Sequence, residues 1–291
     1  MHANGGRYIG FLYLAPALAF ASAFTIYPFL QMIWMSLNNW SLIAEKKFVG
    51  LGNFVKAWHD PQVWVSLAFT LKYTFYITPI LMIGGFLIAL LTAGNTPLRR
   101  FTRGVVFAPV VIGLGASSLL WYWLFSYDFG LVNRAGMDLG IMAKPVLWFG
   151  ADAGISLWAV IASIVWKVLG FGALLFVAAI QAIPGEINEA AMVDSASYWQ
   201  RVRLITLPLT ARTILLVTLV SVIGSLLAFD QFYIMTAGQP RNMTTTAVFL
   251  IYLNSFPYLK LGYGSALSLI LAAVILTCTV LQMVLSRRSH A

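Results

Sequence analysis

Two ionisable side chains, Lys167 and Asp230, lie inside long apolar stretches, and Lys72 lies near the start of another. A charge in an apolar layer is costly, so such groups are paired, solvated through a cavity, or able to reach an interface. Lys72 and Asp230 sit near enough to the ends of their stretches to reach water. Lys167 is roughly 12 residues into its stretch, about 18 Å of helical rise. A protein-lined cavity is therefore its expected setting, and its ammonium is a candidate counter-charge for an anionic solute. Ser221, Gly224, Ser225 and Ala228 recur at i, i+3, i+4 and i+7, on one face of a helix. Small residues there permit close helix packing, which on the residues alone is the favoured reading. Asp230 falls off that stripe and is not counted with it. No metal set or disulfide framework is expected, because His2, His59 and His290 are scattered and Cys278 is alone.

The second concentration of chemistry is Glu186–Pro208. It holds three of the chain's nine carboxylates, Glu186, Glu189 and Asp194, followed by Arg201 and Arg203. Pro184 suits the first turn of a helix, and the two glutamates suit the positive end of its dipole. Ile183, Ile187, Ala190 and Ala191 recur at helical spacing. Asp194–Ser195 reads as a break and a new N-cap. A second helix follows, with Trp199, Val202 and Ile205 or Thr206 near one face, and Leu207–Pro208 ends the unit. Such a segment could rest on lipid headgroups or seat in a groove on another protein. Its acidic front half, which anionic lipid would repel, weighs toward the protein groove.

Composition says what must position these groups. The chain is 60% hydrophobic and only 9% charged, with a mean hydropathy of +0.86. Soluble domains carry about 25% charged residues, so an integral membrane protein is expected. The net charge of +9 fits cationic loops that set topology better than a nucleic-acid surface. Apolar runs of membrane-spanning length cover about 10–37, 65–93, 104–125, 155–182, 211–236 and 262–285. They imply an all-α polytopic membrane bundle of six transmembrane helices, one domain over 1–291, with both termini on one side. Ala21-Ser22-Ala23 resembles a signal-peptide cleavage site, but the apolar run continues through Leu37, so an uncleaved helix is expected. With both termini inside, the inner segments hold nine Lys and Arg residues against seven in the outer loops, and the arginines alone divide nine against two. The bias puts the termini and the 183–210 loop in the cytoplasm.

The pattern Glu189-Ala190-Ala191, Asp194, Ala196, Ile205, Leu207-Pro208 resembles the cytoplasmic EAA loop of ABC importer permeases. Further likenesses are Tyr27-Pro28, Val49-Gly50-Leu51-Gly52-Asn53-Phe54, Ala108-Pro109, Trp121-Tyr122-Trp123-Leu124-Phe125, Gly130-Leu131-Val132-Asn133, Gln181-Ala182-Ile183-Pro184, Phe229-Asp230 and Leu261-Gly262-Tyr263. Nearly the whole chain is similar to the first permease subunit of carbohydrate importers of the maltose and glycerol-phosphate type. Two departures stand out: Ser195 replaces the usual glycine after the loop's Asp, and Thr236-Ala-Gly-Gln-Pro240 replaces Thr-x-Gly-Gly-Pro.

The resemblance implies a permease of the bacterial inner membrane that works by alternating access. Its partners would be a cytoplasmic ATPase dimer that binds ATP and Mg, a second related permease and an extracytoplasmic solute-binding protein. It gives Glu186, Glu189, Ala190, Ala191, Asp194, Ser195, Ala196, Trp199 and Arg201 to the ATPase contact. It gives Lys167, Val168, Phe171, Ser221, Gly224, Ser225 and Ala228 to a midplane sugar pocket. Phe171 would stack on a sugar face, and Ser221 and Ser225 would bond hydroxyls. The chain has no G-x-x-x-x-G-K-[ST] phosphate cradle, so it is not expected to be the ATPase. On the residues alone, an ion-coupled transporter or channel using Lys167 and Asp230 as a relay remains an alternative, as does a membrane scaffold.

Overall fold

The computed structural model describes residues 5–41 and 45–288, with side chains at 13–41 and 45–284. His2 and His290 lie outside the described residues, and Arg7, Arg287 and Arg288 outside the described side chains. In chain order, α1 (Gly5–Ala21) passes through a π turn into α2 (Tyr27–Ser36). A short ribbon follows, β1 (Asn38–Asn39) antiparallel to β2 (Lys47–Phe48), with Asn38 opposite Phe48. Next come α3 (Gly52–His59), α4 (Pro61–Thr92), α5 (Pro97–Phe107), α6 (Leu114–Leu124), α7 (Leu131–Asp138) and α8 (Ala153–Gln181). The remainder is α9 (Gly185–Val193), α10 (Tyr198–Arg201), α11 (Leu207–Leu209), α12 (Ala211–Leu226), α13 (Ala247–Ser255) and α14 (Leu261–Arg288).

Among the described residues, four helical stretches are long and apolar enough to cross a membrane: Tyr13–Ser36, Pro61–Thr92, Ala153–Gln181 and Leu261–Val284. Two more result if each of two bent pairs is one span. Pro97–Val111 meets Leu114–Leu124 at 100°, and Tyr198–Leu209 meets Ala211–Leu226 at 68°. The expected third run, 104–125, is therefore not one straight helix. It is broken where a 3₁₀ turn at Ala108–Val111 gives way to extended Ile112 and then to Gly113. The expected fifth run, 211–236, also fails to be continuous. Its helix ends at Leu226, and a separate π turn covers Phe232–Thr236.

Contacts divide the chain into two units. The first comprises residues to Val63 together with Leu250–Ala273. Here Asn53 Nδ2 donates to the carbonyls of Ser36 (2.8 Å) and Asn38 (2.9 Å), fastening α3 to the ribbon. Gly50 takes the left-handed turn that lets the chain enter α3 (φ 54°). Gly262 N donates to Trp40 O, and a side chain at Gly262 would strike Asn38 O. Tyr263 donates its hydroxyl proton to Asp60 Oδ2 (2.8 Å). Asp60 Oδ1 accepts from Gln62 N at the start of α4.

The second unit holds Trp64–Phe249 and the end of α14. Its axis is α8, half of whose membrane-length window is buried. Tyr73, Ile77, Leu157, Val160 and Phe232 are fully buried in one cluster. Phe232 presents its ring edge-on to Phe69 (5.2 Å) and Tyr73 (5.0 Å). Asp152 caps α8 by accepting from Gly154 N (2.7 Å) and Ile155 N (2.9 Å). The loop before it is gathered by Asn133, which is 1% exposed. Its Nδ2 donates to Val146 O (3.0 Å), and its Oδ1 accepts from Val146 N (3.1 Å) and Trp148 Nε1 (2.9 Å).

Removing that amide leaves buried donors unpaired, at about 1–3 kcal/mol each. Asn133→Ala is expected to lower the thermal midpoint of the detergent-solubilised protein. Asn133→Leu, which restores volume but no hydrogen bonds, is expected to do the same, and recovery by leucine would show that packing alone holds this loop.

Candidate functional site

The segment between α8 and α12 forms a protruding helix–turn–helix. Pro184 is the N-cap of α9, one place earlier than expected, and Glu186 lies in the first helical turn. The helix closes with Ala196 N donating to Ala191 O (2.9 Å) and Ser195 N to Met192 O (3.0 Å). That pair of bonds is a Schellman motif, which needs a left-handed residue between helix and exit. Ser195 supplies it, with φ 59°, in a conformation that costs a residue with a side chain roughly 1–2 kcal/mol. The expected new N-cap at Asp194–Ser195 is corrected by one turn of chain. Asp194 is the C-cap of α9, and the next helix is capped by Ser197, which forms a capping box with Gln200. Asp194 and Ser195 cannot cap because they are committed to closing the helix before.

The outer surface of this knob mixes acid and oil. Glu186, Glu189, Ala190, Asp194 and Ser195 are exposed, and Ala191, Ala196 and Arg201 are half-buried. Val193 is 85% exposed, Leu204 70% and Trp199 67%. These three large apolar side chains are exposed together on one small knob. Val202 and Thr206 anchor its inner side. Gln181 Nε2, at the end of α8, donates to Ala93 O just past α4 (2.7 Å).

A cavity of about 220 Å³ opens among α4, α8 and α12. Six of the seven expected pocket residues line it: Val168, Phe171, Ser221, Gly224, Ser225 and Ala228. Lys167 does not. It is buried, and its ammonium donates to the carbonyls of Val110 (3.3 Å) and Ile112. Gly170 allows the approach, since a side chain there would strike Val106 O. The expectation that Lys167 faces the pocket is thus corrected: it closes the carbonyls that the bend between α5 and α6 sets free.

Asp230 is the opposite correction. The break after Leu226 cancels the helical register that placed it off the stripe, and Phe229, Asp230 and Gln231 all line the cavity. Thr246 holds the break, its Oγ1 donating to Ala228 O (2.7 Å) while accepting from Phe249 N (3.2 Å). Thr244 donates to Gln239 O and lies within bonding distance of Thr236 Oγ1. The run Thr244-Thr245-Thr246 was the available signal for this network. Ser225 Oγ lies 2.9 Å from both Thr74 Oγ1 and Val222 O, so its proton is used within the protein. Ser221 Oγ has no hydrogen-bond partner among the described residues.

Residues 82–290 match the family model described as binding-protein-dependent transport system inner membrane component. The chain belongs to that family. It is therefore a membrane component of a transport system served by a binding protein, and the free-standing ion-coupled reading is set aside. This permease is 31% identical over 280 residues to the trehalose/maltose transport system permease of Thermococcus litoralis, covering 96% of this chain and 94% of that one. It is 32% identical to the lactose transport system permease of Rhizobium radiobacter, with the same coverage of each chain. It is also 32% identical to the sulfoquinovosyl glycerol transport system permease of Agrobacterium fabrum, over 94% of this chain and 89% of that one. Among solved structures, the fold matches a bacterial alginate ABC transporter with a TM-score of 0.85 at 21% identity, covering 97% of this chain and 94% of that one.

The permease fold depends on two side chains that cap broken backbone. Lys167→Met and Thr246→Val each leave buried carbonyls unpaired, at about 1–3 kcal/mol. Both are expected to lower the thermal midpoint of the solubilised protein, whereas Ser221→Ala is expected to leave it unchanged. An unmoved midpoint in Lys167→Met would mean that the bend stands without its clamp.

Proposed function

We propose that the chain is the permease subunit of an ATP-driven importer of a carbohydrate, with the cavity among α4, α8 and α12 as its solute site and residues 183–210 as its contact with a partner ATPase. The observation that carries the reading is the knob itself, acidic at Glu186 and Glu189 and apolar at Val193, Trp199 and Leu204, held on the two helices that line the cavity. Relatives whose names specify trehalose, maltose and lactose support the substrate class. A cytoplasmic ATPase dimer, a second permease and an extracytoplasmic binding protein complete the assembly. The arginine bias supports a cytoplasmic position for the knob and both termini.

The mechanism follows from continuity. The knob leaves α8 at Gln181 and re-enters the bundle through Thr206 into α12, while Gln181 ties the end of α8 to that of α4. Displacing the knob therefore moves the helices whose faces make the cavity. ATP binding closes the ATPases, the closed pair favours one arrangement of these helices, and hydrolysis releases it. Only a partner that binds two arrangements unequally can drive such a shift. Phe171 offers a ring for a sugar face and Ser221 a free hydroxyl.

Glu189→Lys tests the contact by reversing a charge on the exposed face. The assembled complex is expected to lose binding-protein-stimulated ATP hydrolysis, or its coupling to uptake, by about tenfold or more, as when a buried interfacial charge pair is broken. The helices are expected to remain inserted, as judged by membrane yield. Uptake and hydrolysis at wild-type levels would remove the assignment.

A further inference from the structure

The ends of two membrane-length stretches meet in the first unit, and α3 is fastened between them. Asn53 Nδ2 donates to the carbonyl of Ser36, the last residue of the Tyr13–Ser36 stretch, and to that of Asn38. About one turn on, Lys56 Nζ lies 4.7 Å from the centroid of the Tyr263 ring, and the Tyr263 hydroxyl donates to Asp60 just past the helix. Tyr263 belongs to the first turn of the Leu261–Val284 stretch. The helix is therefore held at the level where two spans leave the apolar layer.

Its outward face does not suit water. At roughly 100° per residue, Phe54, Trp58, Leu51 and Val55 share one apolar arc, turned away from buried Asn53 and Ala57. Leu51, Val55 and Trp58 each keep more than half of their surface exposed, as does Phe48 on β2. Phe48 stacks against Trp34 with ring centroids 6.3 Å apart, and Trp34 is an exposed residue inside the Tyr13–Ser36 stretch. The apolar surface of a span thus continues onto the ribbon. Its rim is basic: Lys46 and Lys47 are exposed beside Phe48, and His59 beside Trp58. Aromatic and aliphatic side chains on one face with bases at the edge match acyl chains below and lipid phosphates above.

We propose that α3 and Phe48 form an interfacial anchor whose partner is the phospholipid bilayer. Leu51, Val55, Trp58 and Phe48 sit in the boundary between headgroups and acyl chains, and Lys46 and Lys47 lie among the phosphates. The anchor fixes the depth at which the end of the first span and the start of the last meet the membrane surface. Neither the solute cavity nor the ATPase contact enters into it.

Cys278 is the only cysteine, so Leu51→Cys, Gly52→Cys, Val55→Cys, Lys56→Cys and Trp58→Cys, each in a Cys278→Ala background, give single sites for a nitroxide label. The assembled importer is reconstituted in phospholipid nanodiscs. Access of each label to oxygen, which concentrates in lipid, is divided by its access to a water-soluble nickel chelate. Because such a face sits roughly 5–10 Å into the boundary, the ratio at 51, 55 and 58 is expected to exceed that at 52 and 56 by about threefold or more. An equal ratio at all five positions would overturn the proposal, as would a ratio that favours the chelate at 51, 55 and 58. Exclusion of both reagents from those three positions would put a protein on the face, the second permease or the binding protein, and would overturn it as well. A second measurement needs no substitution. In the unaltered importer, a phospholipid with a diazirine near the top of its acyl chain is expected to label the Phe48–Trp58 peptide on illumination. An unlabelled peptide, with the Tyr13–Ser36 stretch labelled in the same sample, would overturn the anchor.

Discussion

Backbone polar groups surrounded by apolar side chains and lipid have to find partners inside the protein. A straight helix does this by itself, and a bent one does not. At two breaks in this chain, the 100° turn after α5 and the end of α12, a side chain from another segment takes released carbonyls. Lys167 of α8 holds Val110 and Ile112 at the 100° turn between α5 and α6. Thr246 holds Ala228 where α12 stops. These two caps satisfy carbonyls that the breaks take out of regular helix.

The breaks are also what make the cavity polar. Had α12 continued to Thr236, Asp230 would have stayed off the face that carries Ser221 and Ser225. The interruption at Leu227 re-aims the chain, so that Phe229, Asp230 and Gln231 join the lining. The same principle takes Lys167 out of it. An ammonium buried among apolar residues gains more from two carbonyls within reach than from an open cavity, so Lys167 is bonded to backbone while Asp230 lines the cavity. Their roles are the reverse of those their depth in the sequence implies.

Length, composition and period were enough to read an all-helical membrane protein and the approximate limits of most of its spans, because apolar runs of membrane length leave the backbone few alternatives. The stripe Ser221, Gly224, Ser225 and Ala228 was legible for the same reason, since period fixes face as long as the helix lasts. The breaks were not legible. Pro109 and Gly113 mark the first only in hindsight, and the second is made by Thr246, some 18 residues beyond the carbonyl it holds. A contact between distant segments leaves no periodic trace. The Ser197 cap was missed for a local reason: Asp194-Ser195-Ala196-Ser197 offers three capping side chains in four positions, and only the Schellman bonds of Ala196 and Ser195 decide which one is free.

Ser195 closes the first helix of the knob in a left-handed turn. Its left-handed backbone costs energy that glycine would largely avoid, and two backbone hydrogen bonds with the capping box at Ser197 and Gln200 determine the turn from both sides. A knob held in this way by its own bonds would be shaped before it docks. A preformed knob loses little ordering entropy on contact, so more of the contact energy remains to displace α8 and α12. The coupling proposed above needs rigidity at this turn, since a push on exposed Trp199 and Val193 would otherwise be absorbed in the loop.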